Sequence, residues 1–206
     1  MKNKILIISV VIFLTITLII TLSKLMAQTP QQPYKEIRKS GKLEFRYYPQ
    51  AVMATVSDNE TSYKKSSGNN FRKLANYIFG GNTKNTKIAM TAPVHMDFSG
   101  ASSSMSFVMP EGYTLSNLPL PESKEIDLHE TPEEYEVALR FGGYASDEKI
   151  EEAKNELQNL LKQAGIVDNG NFRYLGYNAP WDFLFRRNEI VVGISKEIAD
   201  RVNWFS

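Results

Sequence analysis

Two histidines, three closely spaced glutamates and a pair of arginines are the side chains whose types suit acid–base, metal or anion chemistry in this chain. His95 lies in a stretch where Ile88, Met90, Ala92, Val94, Met96 and Phe98 alternate and so share one face of a strand. His95 then falls on the other face with Lys87, Thr91 and Asp97. That placement predicts a solvent-facing or hydrogen-bonded imidazole, with metal ligation as the alternative use of such a side chain. His129, beside Asp127 and opposite Ile126 and Leu128, faces water by the same alternation. Glu133, Glu134 and Glu136 could pair as catalytic carboxylates, but their alternation with Tyr135 and Val137 predicts a solvated strand face. Serine and threonine are plentiful, yet the chain holds no G-x-S-x-G, no H-E-x-x-H and no glycine loop placed to cradle phosphate. These residues predict binding rather than catalysis.

The composition narrows the classes further. Of 206 residues, 24 are Lys or Arg and 23 are Asp or Glu, a formal charge of +1. No broad positive field results, so nucleic acid is not an expected partner. With no cysteine in the chain, disulfides, thiolate ligands and covalent C-x-x-C-H heme attachment are all ruled out.

Lys2 and Lys4 precede an uncharged run, Ile5 to Leu22, broken only by Ser9, Thr15, Thr17 and Thr21. At 1.5 Å per residue such a helix covers roughly 27 Å of hydrocarbon, which predicts a transmembrane signal anchor. Leu25 sits where a cleavage site after Ala27 would want a small residue, so an uncleaved anchor over 1–26 is favoured over a removed signal peptide. The lysines would stay in the cytoplasm and the domain outside it, or periplasmic or secreted if cleavage does occur. A polar, proline-bearing linker over 27–34 leads into one domain over 35–206.

That domain reads as a repeated plan. Leu43 to Val56 predicts a strand pair bent at Pro49, followed by a short helix with Phe71, Leu74, Ala75, Ile78 and Phe79 at helical spacing, Asn70 as N-cap and Gly80 just past the end. The strands Ile88 to Phe98 and Met105 to Met109 complete the first unit. In the second, the strand around Tyr135 to Phe141 is followed by a helix capped by Ser146, with Ile150, Ala153, Leu157, Leu160, Leu161 and Ala164 as its stripe. Phe172 to Tyr177 and Glu189 to Ile194 close it. Strand, helix, strand, strand occurring twice predicts an α+β fold with pseudo-two-fold symmetry.

Four segments carry a family likeness: KIAMTAPVHM from Lys87, FGGYAS from Phe141, GYNAPW from Gly176 and RRNEIVV from Arg186. With these in order, the chain resembles the SOUL heme-binding family from roughly Tyr34 to Ser195. The resemblance implies a distorted antiparallel β-barrel flanked by two helices, similar to the effector-binding domains of multidrug-responsive regulators. It also implies noncovalent heme or porphyrin as the ligand, held between the first helix and the Gly-Tyr-x-x-Pro loop. Carried over by position, Phe71, Leu74, Ala75 and Ile78 form one wall and Tyr177, Pro180 and Trp181 the other. Arg72 or Lys73 would meet propionates, while Arg186 and Arg187 suit structural salt bridges or carbonyl caps. His95 becomes the candidate axial ligand at the barrel surface. Leu74 and Ile78 at helical spacing suit a core equally well. The expected function is a membrane-tethered, noncatalytic tetrapyrrole carrier, buffer or chaperone. A sensor or adaptor for another hydrophobic ligand or a protein partner, and a tetrapyrrole-modifying enzyme, are the alternatives.

Overall fold

A computed structural model describes residues 9–10, 12–17, 29–98, 102–179, 182 and 186–204. The chain divides into two units, Met1–Pro30 and Gln31–Ser206. In the first, residues 12–17 are helical, and the hydroxyls of Thr15 and Thr17 donate back to carbonyls one turn earlier. Most of the predicted anchor lies outside the described residues. Among the described residues no helix is long and apolar enough to cross a membrane.

The described residues of the second unit form one nine-stranded antiparallel sheet with three helices. Its strands are β1 (Lys35–Ser40), β2 (Leu43–Tyr48), β3 (Ala51–Asp58), β4 (Val94–Asp97), β5 (Ser103–Val108), β6 (Ile126–Thr131), β7 (Glu134–Phe141), β8 (Asp168–Gly176) and β9 (Asn188–Ile194). Helix α1 (Tyr63–Ile78) follows β3, α2 (Asp147–Gln163) follows β7, and α3 (Lys196–Trp204) ends the chain. The strand order is β1-β2-β7-β9-β8-β4-β5-β3-β6.

That order displays the predicted repeat. In one half β3 pairs with β5 and β5 with β4; in the other β7 pairs with β9 and β9 with β8. The halves meet where β4 pairs with β8. The barrel expectation is corrected: β1 and β6 end the sheet unpaired with each other, so it stays open. The predicted strand pair from Leu43 to Val56 is corrected too. Bent at Pro49, the chain sends β2 to pair with β7 and β3 to pair with β5 and β6, so each half lends a strand to the other. A bend at proline fixes a change of direction, but it does not choose a pairing partner.

One face of the sheet carries the main core. Leu43, Phe45, Val137, Leu139, Ile190 and Val192 meet α2 through Ile150, Ala153, Leu157 and Leu161, while Ala54, Val56, Met105 and Phe107 meet α1 through Leu74, Tyr77 and Ile78. The alternation predicted for Ile88 to Phe98 holds its apolar row inward, but regular ladder pairing covers only Val94–Asp97. Helix α1 begins at Tyr63, eight positions before the predicted start, so Asn70 is a fully buried mid-helix residue and not a cap. The polar face of that longer helix hides its first two turns from a search for apolar periodicity.

Candidate functional site

The residues proposed as one wall of a ligand groove divide by burial. Leu74 and Ile78, at 0% and 1% exposure, are interred against the sheet. Phe71 and Ala75 are half-covered, and the Phe71 ring stands edge-on to Phe107 with centroids 5.4 Å apart. Arg72 is exposed, and Phe79, at 59%, is the most open aromatic near the helix end. Tyr177 packs on Ala138, Leu175 and Val191, a cluster separate from the core that holds Leu74 and Ile78. Pro180 and Trp181 lie outside the described residues.

The histidines part company. His129 keeps its place beside Asp127, 3.1 Å away on an exposed strand. His95 is not solvent-facing: it is 6% exposed, with Nε2 2.8 Å from Gln32 Oε1. Burial, reinforced by the Arg173 guanidinium, pulls its pKa down to about 3. The reason is the chain ahead of β1, where Gln32 donates its backbone N–H to Ala92 O at 2.8 Å and lies over the face assigned to water.

The same correction applies to Glu136. It is 1% exposed and is bridged, with Glu134, by Arg173, whereas Glu133 is exposed and accepts from Tyr47. On this second face Arg46 grips Glu189 through two bonds of 2.6 and 2.9 Å and also reaches Glu44 at 2.7 Å. Glu189 accepts two more, from Arg187 Nε at 2.8 Å and Tyr177 Oη at 2.9 Å. Burial alone would raise the Glu189 pKa, but the Arg46 and Arg187 guanidiniums hold it below its ordinary value. Burial and the nearby Glu189 carboxylate push the Tyr177 phenol up. Arg187 lies over the Tyr177 ring at 3.9 Å, and Arg186 donates to the carbonyls of Ala179 and Asp182, so both arginines hold structure here.

A cavity of about 510 Å³ opens elsewhere, between the starts of α1 and α2 and strand β8. Its aromatic surface comes from Tyr63, Phe98, Phe172 and Tyr174, joined by Ile150 and Ile190. Asp147, in the first turn of α2, frames the mouth by capping α1: Tyr63 N and Ser62 Oγ donate to it at 2.6 and 3.0 Å. Tyr63 meets Tyr174 edge-on at 5.4 Å, and the Tyr174 hydroxyl donates to Asn188 at 2.7 Å. Burial pushes that phenol well above its ordinary pKa. Its charged groups are Asp147, Glu151, Lys154 and Arg173; Arg173 is held by Glu134 and Glu136, and Lys154 Nζ lies 5.8 Å from the Phe172 ring centre. Such a lining offers aromatic cover to a flat apolar molecule and one cation, Lys154, to an acidic substituent. It sets no nucleophile beside a base.

Sequence reasoning missed Tyr63, Phe98, Phe172 and Tyr174 as a set. The signal was faint, because each is an ordinary apolar position of its own element and only packing brings the four together.

Comparison with known proteins agrees with this architecture. A family model described as SOUL heme-binding protein matches residues 29–193. Heme-binding protein 2 of Mus musculus is 28% identical over 158 residues, covering 73% of this chain and 77% of that one. Among solved structures, the EcmrR C-terminal domain superposes with a TM-score of 0.55 at 12% identity, covering 79% of this chain and 98% of that domain. A hydrolase from Listeria innocua does so at 0.54 and 10% identity, covering 77% and 94%. At such identities the two structures share the fold alone.

Proposed function

The chain belongs to the SOUL heme-binding protein family, and from that premise we propose that its folded unit binds heme or another tetrapyrrole noncovalently, as a carrier, buffer or chaperone. The supporting observation is the 510 Å³ cavity with four aromatic walls, a volume within the ~300–1,000 Å³ common for small-molecule sites. The residues present fit such a group. Tyr63, Phe98, Phe172 and Tyr174 would cover the apolar ring, and Lys154 would meet a carboxylate substituent, Arg173 being engaged by Glu134 and Glu136. No histidine lines the cavity, so apolar contact would hold the ring; the His95 ring is buried away from it, with Nε2 on Gln32. When bound, heme would supply its iron and its conjugated ring; the chain contributes covering surface, orientation and exclusion of water.

The proposal extends to the N-terminus: 1–26 as an uncleaved anchor, 27–34 as a tether, and the domain outside the cytoplasm. In the described part of that segment Phe13 and Leu14 are 67% and 58% exposed, and the threonine hydroxyls are satisfied within the helix, both of which suit hydrocarbon. Retention of the full chain in membranes through alkaline carbonate extraction, and its loss on deleting 1–26, is the expected behaviour.

The binding test is a hemin titration of the full chain in detergent, followed at the Soret band. Saturable binding at micromolar hemin is expected, weakened at least tenfold by Tyr63→Ala or Phe98→Asp and unchanged by Phe79→Asp. Weakening by Phe71→Asp alone would place the ligand on the outer face of α1 instead. No spectral change in the wild type would favour the sensor or adaptor reading, and turnover of hemin would favour an enzyme.

A further inference from the structure

A second, smaller depression lies on the sheet face opposite the helices, and the heme reading makes no use of it. Its volume is about 180 Å³, and its floor is Ala138. Register explains the hollow. Glu44 on β2 stands opposite Ala138 on β7, and Arg140, two residues along β7, stands opposite Glu189 on β9. The long charged side chains of these neighbours rim the gap above Ala138, whose methyl is itself buried against Leu175, Val191 and Tyr177.

The rim is strongly cationic. Lys39, Lys42, Arg46, Arg140 and Arg187 surround the gap, against the two carboxylates Glu44 and Glu189. Both carboxylates are already engaged, Glu189 by Arg46, Arg187 and Tyr177, and Glu44 by Arg46. Lys39 and Arg140 are exposed and make no ion pair among the described residues. Lys42 reaches Glu156 at 2.6 Å, but that pair is open to water on both sides and holds the ammonium weakly. Three positive charges thus exceed the local negative ones around a hollow too small for a macrocycle. With water taking ~30 Å³ per molecule, it has room for one tetrahedral oxyanion and a few waters.

We propose that this depression binds a phosphate-sized oxyanion, with Lys39 and Arg140 as its direct partners and the buried Arg46–Glu189 pair as its rigid floor. An ammonium on β1 and a guanidinium on β7, the two strands that flank β2, match an oxyanion with several acceptor oxygens. A phosphate group reaches such a site either free or as the head of a glycerophosphate lipid, and the chemistry recognised is the same.

Calorimetric titration of the full chain with sodium phosphate, at constant ionic strength held with chloride, tests the proposal. Saturable one-site binding is expected, weakened at least tenfold in Lys39→Glu/Arg140→Glu, whose exposed positions leave the fold intact. Lys39→Gln/Arg140→Gln, which removes the two charges without reversing them, is expected to have the same effect. Tighter binding of glycerophosphate than of inorganic phosphate would identify a lipid head as the source, and equal binding would identify the free ion. Heat that follows ionic strength alone, or saturable binding unaltered in the charge-reversed variant, would overturn the site. Because neither variant touches the aromatic cavity, both are expected to bind hemin like the wild type.

Discussion

Asp147 belongs to α2, yet its carboxylate receives the N–H of Tyr63 and the hydroxyl of Ser62 at the start of α1. The local cap residue, Ser62, makes no side-chain bond of its own to the first turn, so the capping of α1 comes from the other half of the repeat. Asp147→Ala is expected to destabilise the fold by about 1 kcal/mol. It should also weaken hemin binding, since the same contact frames the cavity, and thermal unfolding beside a Soret titration separates the two effects. His95 supplies a pH signature. Below its ordinary pKa of 6.5 the unfolded chain takes up a proton that the folded imidazole refuses until about pH 3. Stability therefore falls as pH drops through that window, by up to about 1.4 kcal/mol per unit. His95→Gln, which retains an amide partner for Gln32, is expected to flatten denaturation midpoints between pH 6.5 and 5, before the carboxylates titrate.

Within the strands, period-two alternation was legible and its faces were assigned correctly as sets. Ile88, Met96, Val137 and Leu139 all point into the main core. The opposite row holding Glu136 was assigned to water, and that holding His95 to water or a hydrogen bond, of which the bond to Gln32 is found; alternation reveals which residues share a face and not what lies over it. Here the chain ahead of β1 lies over one row, and β2, β7, β8 and β9 bring arginines and glutamates together on the other. The Arg46–Glu189 pair is 1% exposed on both sides. Glu189→Ala leaves the buried Arg46 guanidinium with Glu44 as its remaining carboxylate and is expected to cost about 3 kcal/mol, while Arg46→Met/Glu189→Leu is expected to recover part of it. Chemical denaturation of the three proteins measures both. Helix α2 was legible to its cap, since Ser146 accepts from Lys149 N at 3.3 Å. Helix α1 was legible only in its last two turns, where the apolar residues gather.

For the folded unit, the repeat and the α+β class were evident from element order, and the pairing of β4 with β8 joins the two halves of the repeat. Closure was not. Whether a run of antiparallel strands seals into a barrel depends on its outermost strands meeting, and β1 and β6 stand at opposite ends of this order. The arm before β1 is the element on which the second face depends. Tyr34 lies 4.3 Å from the Arg46 guanidinium, and Gln32 holds both Ala92 and His95. Truncation at residue 30 is expected to leave the domain's stability intact. Truncation at residue 34 is expected to cost roughly 1–3 kcal/mol and to raise the His95 pKa, which NMR titration would follow.

Local chemistry written along the chain was enough to determine the inward rows and the second helix with its cap, and the order of such local segments was enough for the repeat and the family likeness, because each element's pattern rests on residues within a few positions of one another. Tertiary structure alone decided what covered the charged faces, which helix Asp147 capped, where four separate aromatics formed a cavity and why Leu74 and Ile78 joined the core. Those outcomes depend on contacts between segments tens of residues apart, and spacing along one strand or helix carries no record of its distant partner.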